Sequence, residues 1–426
     1  MKKHLPLSVL SVAVLIITFI IAAGGPVFGE PPAPGESVTP QERLAQLFTS
    51  ASLSADWFSP AVLAQLPLGQ LQAIIDQYRG TLGIYQWAEG LTPPSAAAPG
   101  AVETTFQLIF DGGTVPAQIV LDNEGRIAGL WLGVPQLKVA GLEELISRFT
   151  ELPGQVSLLV YSVDSQEVLA AVAPTTPLAV GSTFKLAVLA ALKDKIAAGA
   201  LARDQVVRLE EKHKSLPTGI LQTWPAGSAL TIESLAALMI SLSDNTATDL
   251  LIDVVGPEVV ELYAGNNRPF LSTRQAFILK SPENSAFLEE YRRGDTQKRR
   301  EVLQAIEERQ LPDPSLFGGN PVALDVEWFF SVNDLVNLMA YVQELPLMSI
   351  NPGAADAANW QRVAYKGGSE PGVISMTTWL VSKSGKSYAV SATWNDDAAP
   401  LDEAKFIGLY GSLLEELRKL DEQKAQ

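Results

Sequence analysis

Val180-Gly181-Ser182-Thr183-Phe184-Lys185 runs directly into the apolar helical stretch Leu186 to Leu192. Ser182 stands where a loop enters a helix. Lys185 follows three residues later, so hydroxyl and ammonium share one helix face, a turn apart. Free backbone N–H groups and the helix dipole favour negative charge beside such a serine. A lysine pressed against a helical core can be tuned toward neutrality and accept the serine's proton. The spacing alone says little, because about one Ser-x-x-Lys match per chain is expected by chance. The plain reading, a helix cap followed by a solvated lysine, stands until other stretches displace it.

Two stretches do so, in order. Ser243-Asp244-Asn245 follows the apolar helix Leu235 to Leu242, and Lys366-Gly367-Gly368-Ser369 closes the strand Arg362 to Tyr365. Ser-x-x-Lys, then Ser-Asp-Asn, then a lysine and glycines at the mouth of a strand is the set of penicillin-recognising serine enzymes. From about Leu142 to Leu420 the chain resembles the class A β-lactamase and penicillin-binding-protein superfamily. The resemblance implies an α+β fold: an antiparallel sheet flanked by helices, with an all-helical part and a catalytic mouth between the two.

It also implies roles. Ser182 attacks a strained amide or an ester carbonyl and becomes acylated. Lys185 is the base, its pKa depressed by burial and by the charge of Lys366. Ser243 relays a proton to the departing nitrogen while Lys366 polarises its hydroxyl. Asn245 positions the substrate's amide side chain and Lys185. Backbone N–H groups of Ser182 and Ser369 form an oxyanion hole. Lys366 and Ser369, on the strand carrying Gly368, hold a substrate carboxylate. Asp244 reads as a loop pin with no chemical part. Lys383-Ser384-Gly385 spells the third motif more literally, but it lies between two strands and reads as a hairpin turn.

The chain departs from the family pattern twice. Gly367 stands where relatives often carry threonine or serine, so one carboxylate-binding hydroxyl is absent unless Ser369 replaces it. The Glu-x-x-Leu-Asn segment that activates the deacylating water has no counterpart between Asn245 and Lys366. Glu258, Glu261 and Glu283 are the nearest substitutes. Asn266-Asn267-Arg268-Pro269 and Ser272-Thr273-Arg274 fall in that loop's place, and Glu289 to Gln310 reads as a solvated helical insertion. Without the base, acylation proceeds while hydrolysis is slow.

The 426 residues, 47% hydrophobic and 18% charged, suffice for two or three folding units. A formal charge of −16 argues against nucleic acid and anionic membrane surfaces as partners, so an anionic substrate must be drawn by local lysines. There is no cysteine, which removes disulfides, thiolate metal sites and a cysteine nucleophile. No metal or organic cofactor is implied. Of two histidines, His4 lies in a leader and His213 in the polar run Glu210 to Lys214, where an exposed loop residue is expected. Met1-Lys2-Lys3-His4 and the apolar run Leu5 to Ala23 read as an export signal, with a cleavage site near Val27-Phe28-Gly29. The run is also long enough to serve as a membrane anchor. Either way the working domains are expected outside the cytoplasm. The leader is assigned to residues 1–29 and a Pro-rich linker to 30–40.

Residues 41–135 read as a small α+β domain. Helical spacing over Glu42 to Phe48 and Leu68 to Tyr78 precedes a loop at Pro93 to Gly100. Three strands follow, Val102 to Phe110, Thr114 to Leu121 and Arg126 to Leu132, joined by hairpin signals at Asp111-Gly112-Gly113 and Asp122 to Gly125. The order resembles the isomerase-like or NTF2-like domains that precede a β-lactamase-like domain in some secreted proteins, including ones linked to clavulanic acid biosynthesis. Trp57, Tyr85, Trp87 and Trp131 read as core before ligand pocket. Residues 140–426 form the catalytic domain. Its expected substrate is a β-lactam. The alternatives are an esterase or peptidase acting on cell-wall (peptidoglycan-derived) peptides or small esters, and a penicillin-binding or sensor module without turnover.

Overall fold

The computed structural model describes residues 38–91, 95–98, 101–265 and 267–425. The leader and most of the linker assigned above lie outside these residues, as does Asn266. No helix among the described residues is long and apolar enough to cross a membrane. The chain's own contacts divide the described residues into two units, 38–145 with 402–416, and 146–401 with 417–425.

The smaller unit opens with α1 (Pro40–Thr49), one residue inside the expected linker. Proline tolerates the first helical position, and Thr39 with Glu42 closes a capping box there. Helices α2 (Pro60–Gln65) and α3 (Leu68–Leu82) follow. Strands β1 (Tyr85–Gly90), β2 (Ser95–Ala98), β3 (Ala101–Phe110), β4 (Gly113–Leu121), β5 (Ile127–Leu132) and β6 (Gln136–Leu137) form one sheet. Its order is β1-β3-β4-β5, with β2 on β3 and β6 on β4. β4 alternates buried and part-exposed residues, as a strand with one face on a core must. The core joins Leu44, Leu47 and Phe48 of α1 to Ile75 of α3 and to Leu108, Val115 and Ile119 of the sheet.

Two expectations are corrected here. Ser95–Ala98, read as loop, pairs with β3; small residues flanked by prolines hide a short edge strand. The four aromatics do not share one environment. Tyr85 packs against Phe48 and Phe110, with centroids 5.9 and 5.6 Å away, while Trp87 is 56% exposed.

The larger unit uses the end of α4 (Leu142–Thr150), then β7 (Gln155–Ser162), β8 (Glu167–Val172) and β9 (Leu178–Ala179). A single 3-10 turn, Gly181–Phe184, leads into α5 (Lys185–Ala197). The helical middle contains β10 (Val206–Arg208), β11 (Ala229–Thr231), α6 (Ile232–Ser241), α7 (Asn245–Val255), α8 (Pro257–Val260), α9 (Thr273–Lys280), α10 (Ser285–Arg293) and α11 (Thr296–Ala305). β12 (Phe329–Phe330), α12 (Val332–Val342), β13 (Arg362–Glu370), β14 (Val373–Val381), β15 (Ser387–Asn395) and α13 (Glu403–Ala425) complete it. The main sheet is antiparallel throughout, ordered β13-β14-β15-β7-β8, so strands from both ends of the region meet at β15–β7. Helix α5 is the unit's spine: Leu186 to Leu192 are all buried, inside a core shared with α6, α7 and α12.

Three readings are adjusted. Lys366 to Ser369 do not follow a strand ending at Tyr365; β13 continues through them to Glu370. The insertion from Glu289 is helical as expected, spanning the end of α10 and all of α11, but it is not wholly solvated. Its charges pair on the outside, Lys298 with Glu290 at 2.6 Å, while Val302, Leu303 and Ile306 enter the core. His213 is buried, not exposed. Its Nδ1 accepts the Glu210 N–H at 3.1 Å and its Nε2 lies 3.0 Å from Asp253, because Glu211–His213 coil into a 3-10 turn against α7. Lys383-Ser384-Gly385 does form the β14–β15 hairpin turn, with Gly385 at φ +90°.

Candidate active site

The turn carrying Ser182 is clamped from three sides. Val180 N–H donates to the Trp328 carbonyl at 3.1 Å, and the Phe184 ring stacks on Trp328 with centroids 3.9 Å apart. Thr183 Oγ1, fully buried, donates to the Ser375 carbonyl at 3.2 Å. Gly368 of β13 closes the third side: a Cβ there would come within 2.5 Å of Thr183 N and 2.6 Å of the Val180 carbonyl. Only a glycine lets the strand approach so closely. The backbone at Ser182 and the strand carrying Ser369 are therefore neighbours, and Ser182 itself is half-buried.

Lys185 is wholly buried. Its Nζ donates to the Ser243 carbonyl at 2.6 Å, to Ser243 Oγ at 3.0 Å and to Asn245 Oδ1 at 2.7 Å. The second lysine arrives from the sheet. Lys366, 2% exposed, donates from Nζ to the same Ser243 Oγ at 3.1 Å and to the Gly367 carbonyl. Two cationic side chains from different elements thus meet on one hydroxyl. Burial, and then the charge of Lys366, hold the Lys185 ammonium well below the usual lysine range. Burial pushes Lys366 down to about 7.

The loop between α6 and α7 is built to present that hydroxyl. Ser243 sits at φ +55°, a conformation a non-glycine residue adopts only when its surroundings impose it. Asp244, fully buried, imposes it. Its carboxylate accepts from Ala247 N–H (2.8 Å), Ile220 N–H (2.7 Å) and Leu221 N–H (3.0 Å). Asn245 is oriented as well, because its Nδ2 donates to the Leu216 carbonyl at 3.0 Å and so turns Oδ1 toward Lys185. Lys185, Ser243, Asn245 and Lys366 meet through these hydrogen bonds, and Gly368 lies against the Ser182 backbone.

Two of the three substitute glutamates are engaged elsewhere, and the third is exposed. Glu258 pairs at the surface with Arg300 (3.5 Å), Glu261 binds Arg300 (2.8 Å) and the Phe270 N–H (3.1 Å), and Glu283 is exposed. Asn267 is used on backbone, donating to the Phe329 carbonyl at 2.8 Å and accepting its N–H at 2.7 Å.

Sequence reasoning missed Asp249, one helical turn beyond Asn245 on α7. Burial raises its carboxyl to about 6, although the Arg274 N–H (2.8 Å), Thr273 N–H (2.7 Å) and Thr273 Oγ1 (2.9 Å) all donate to it. The i, i+4 spacing from Asn245 was the available signal. It also missed a buried group at the end of β13. There Lys280 meets Glu327 and lies 3.1 Å from Glu370, and burial followed by the Glu370 charge holds the Glu327 carboxyl well above its usual range. Among the described residues no cluster of three or more His, Cys, Asp or Glu is placed to hold a metal.

Residues 140–302 match the Beta-lactamase enzyme family. That segment carries the Ser182 turn and the Ser243 loop; Lys366 lies beyond it. The larger unit has the β-lactamase-like α+β fold. Among solved structures, the chain is similar to a beta-lactamase from Sphaerobacter thermophilus at 19% identity, covering 67% of this chain and 99% of that one, with a TM-score of 0.47. It is similar to PBP-A at 16% identity (66% and 95% covered, TM-score 0.45). The chromosome-encoded beta-lactamase of Vibrio parahaemolyticus gives 17% identity (65% and 98% covered, TM-score 0.46). No curated protein matches the sequence.

Proposed function

We propose that the chain is an extracytoplasmic active-site serine hydrolase of β-lactamase type. The observation that supports this most is the pair of buried lysines, Lys185 and Lys366, sharing the Ser243 hydroxyl at 3.0 and 3.1 Å one turn from Ser182. A structural lysine seeks a carboxylate or solvent, whereas these two donate to hydroxyl, amide and carbonyl oxygens and to no carboxylate in direct contact.

In the reaction, Lys185 in its neutral form takes the Ser182 proton as Oγ attacks the carbonyl carbon. The backbone N–H groups of Ser182 and Ser369 receive the developing oxyanion. The proton passes from Lys185 through Ser243 to the ring nitrogen, the C–N bond breaks, and the acyl group remains on Ser182. Water then hydrolyses the ester. Lys366 keeps Ser243 oriented and, when charged, attracts the substrate carboxylate.

A second reading, acylation with little turnover, is favoured by the engagement of Glu258 and Glu261 with Arg300. A chromogenic cephalosporin and a simple acyl ester, each followed by absorbance with wild-type and Ser182→Ala protein, test the proposal. Release that disappears in Ser182→Ala supports hydrolysis. A single burst equal to the protein concentration supports the second reading. Equal release by both proteins refutes a Ser182 nucleophile.

A further inference from the structure

Two segments that hold the Ser182 turn converge on one buried ammonium. Lys280 closes α9, and its Nζ donates to Glu327 Oε1 and, at 3.1 and 3.2 Å, to both carboxylate oxygens of Glu370. Each carboxylate is one residue from a contact on the turn. Glu327 precedes Trp328, whose carbonyl accepts the Val180 N–H and whose ring stacks on Phe184. Glu370 follows Ser369, whose backbone nitrogen lies 3.2 Å from where a Cβ on Gly181 would sit. Helix α9 grips the first of these segments twice, because Trp328 Nε1 donates to the Leu271 carbonyl, just ahead of the helix, at 3.0 Å.

Stability does not account for the cluster. Lys280 and Glu327 are both buried, and two carboxyl groups share a single ammonium there. Glu327 Oε2 is buried with no hydrogen-bond partner. Apolar side chains of similar volume are often as stable as such a group, or more so. What the ammonium does supply is geometry, since charge-assisted bonds to both carboxyls fix the distance between the segments that carry them.

We propose that Lys280 is a positioning residue for the oxyanion hole, holding the strand that bears the Ser369 N–H at a set distance from the turn that bears the Ser182 N–H. The assignment rests on the acyl-enzyme reading of the site. Two N–H groups on separate segments stabilise an oxyanion only while their spacing is kept, and Lys280 bonds both segments from behind.

The test compares acylation of Ser182 by a neutral aryl ester and by the matching thionoester, followed by leaving-group absorbance and intact mass. Sulfur is larger and a weaker acceptor than oxygen, so the thionoester draws little from the N–H pair. Lys280→Met is expected to slow the ester about 10- to 100-fold and the thionoester less than about threefold, so the ratio of the two rates contracts. Glu370→Ala, which leaves Lys280 and Glu327 as a balanced pair, should contract the ratio in the same direction. Glu370→Gln, whose amide oxygen still accepts from Lys280, should restore most of it. Ester and thionoester slowed by the same factor in Lys280→Met point to a general structural role and overturn the proposal. Where Lys280→Met does not fold, a Glu370→Ala ratio equal to that of the wild type overturns it. A wild-type protein that neither compound acylates at Ser182 refutes the acyl-enzyme reading, and this assignment with it; acylation with an unmoved ratio refutes the assignment alone.

Discussion

Lys185 and Lys366 donate to a single oxygen, Ser243 Oγ, from different elements, one from α5 and one from the edge strand β13. Burial, joined by the charge of Lys366, disfavours the Lys185 ammonium, burial alone lowers Lys366, and the hydrogen bonds of both lysines go to hydroxyl, amide and carbonyl oxygens. Under the proposed mechanism, burial that disfavours both ammonium groups trades stability for an amine able to accept the Ser182 proton.

Replacing Lys185 by Met should therefore separate activity from stability. Loss of a general base lowers the rate of Ser182 acylation by about 10²- to 10⁴-fold. An apolar group of similar length in a fully buried site should leave the melting temperature unchanged or raised. Stopped-flow acylation and a thermal melt on the same sample check both halves. A large fall in melting temperature would argue for a structural lysine.

The two depressed lysines give a bell-shaped pH profile. kcat/KM for an anionic β-lactam rises as Lys185 loses its proton and falls as pH passes about 7, where Lys366 loses the charge that attracts the carboxylate. A neutral ester should lack the descending limb. The same residue predicts a stability trend. The folded Lys366 pKa of about 7 lies below the ordinary 10.5, so the unfolded chain binds more protons between these values, and stability rises with pH across that window. Lys366→Met should flatten the trend in melts run from pH 7 to 10.

Gly368→Ala should damage the site more than the fold. The added methyl meets backbone of the Ser182 turn, which Thr183 and Phe184 hold in place. Overpacking of this kind costs about 1–3 kcal/mol. Misplacing a nucleophile by an ångström costs about 10²-fold in rate. Circular dichroism and burst kinetics on the variant distinguish the two effects.

Asp249→Asn is expected to lower stability. The carboxylate accepts two backbone N–H groups and one hydroxyl at the start of α9, and an amide NH2 cannot accept from the Arg274 N–H. One unsatisfied buried donor costs about 1–3 kcal/mol, measurable by urea denaturation. Since burial holds the carboxyl near 6 against an ordinary 3.8, the native state binds more protons in between. Its contribution is present at low pH and is lost as pH rises through about 6.

Much of the site was legible because its parts obey local rules. Ser182 and Lys185 follow helix periodicity, and Ser243 follows the end of an apolar helix. The hairpin at Lys383 was separable from the strand at Lys366 by its place between two strands. What escaped depended on contacts distant in sequence. Gly367 and Gly368 read as a strand's end, since glycines usually interrupt strands. Here they let β13 continue past the Tyr365 hydroxyl and the Ser182 turn. His213 looked solvated among charged neighbours, but its turn packs on α7, where its Nε2 lies 3.0 Å from Asp253, 40 residues away. Asp249 carried no motif at all.

The central claim, that Ser182 becomes acylated with Lys185 as its base, is tested most directly by intact mass spectrometry after brief exposure to benzylpenicillin at neutral pH. The account predicts a single added penicilloyl mass on the wild-type protein, mapped to the peptide containing Ser182, and none on Ser182→Ala. An adduct that persists on Ser182→Ala, or a wild-type protein that never gains mass while showing no turnover, would contradict it.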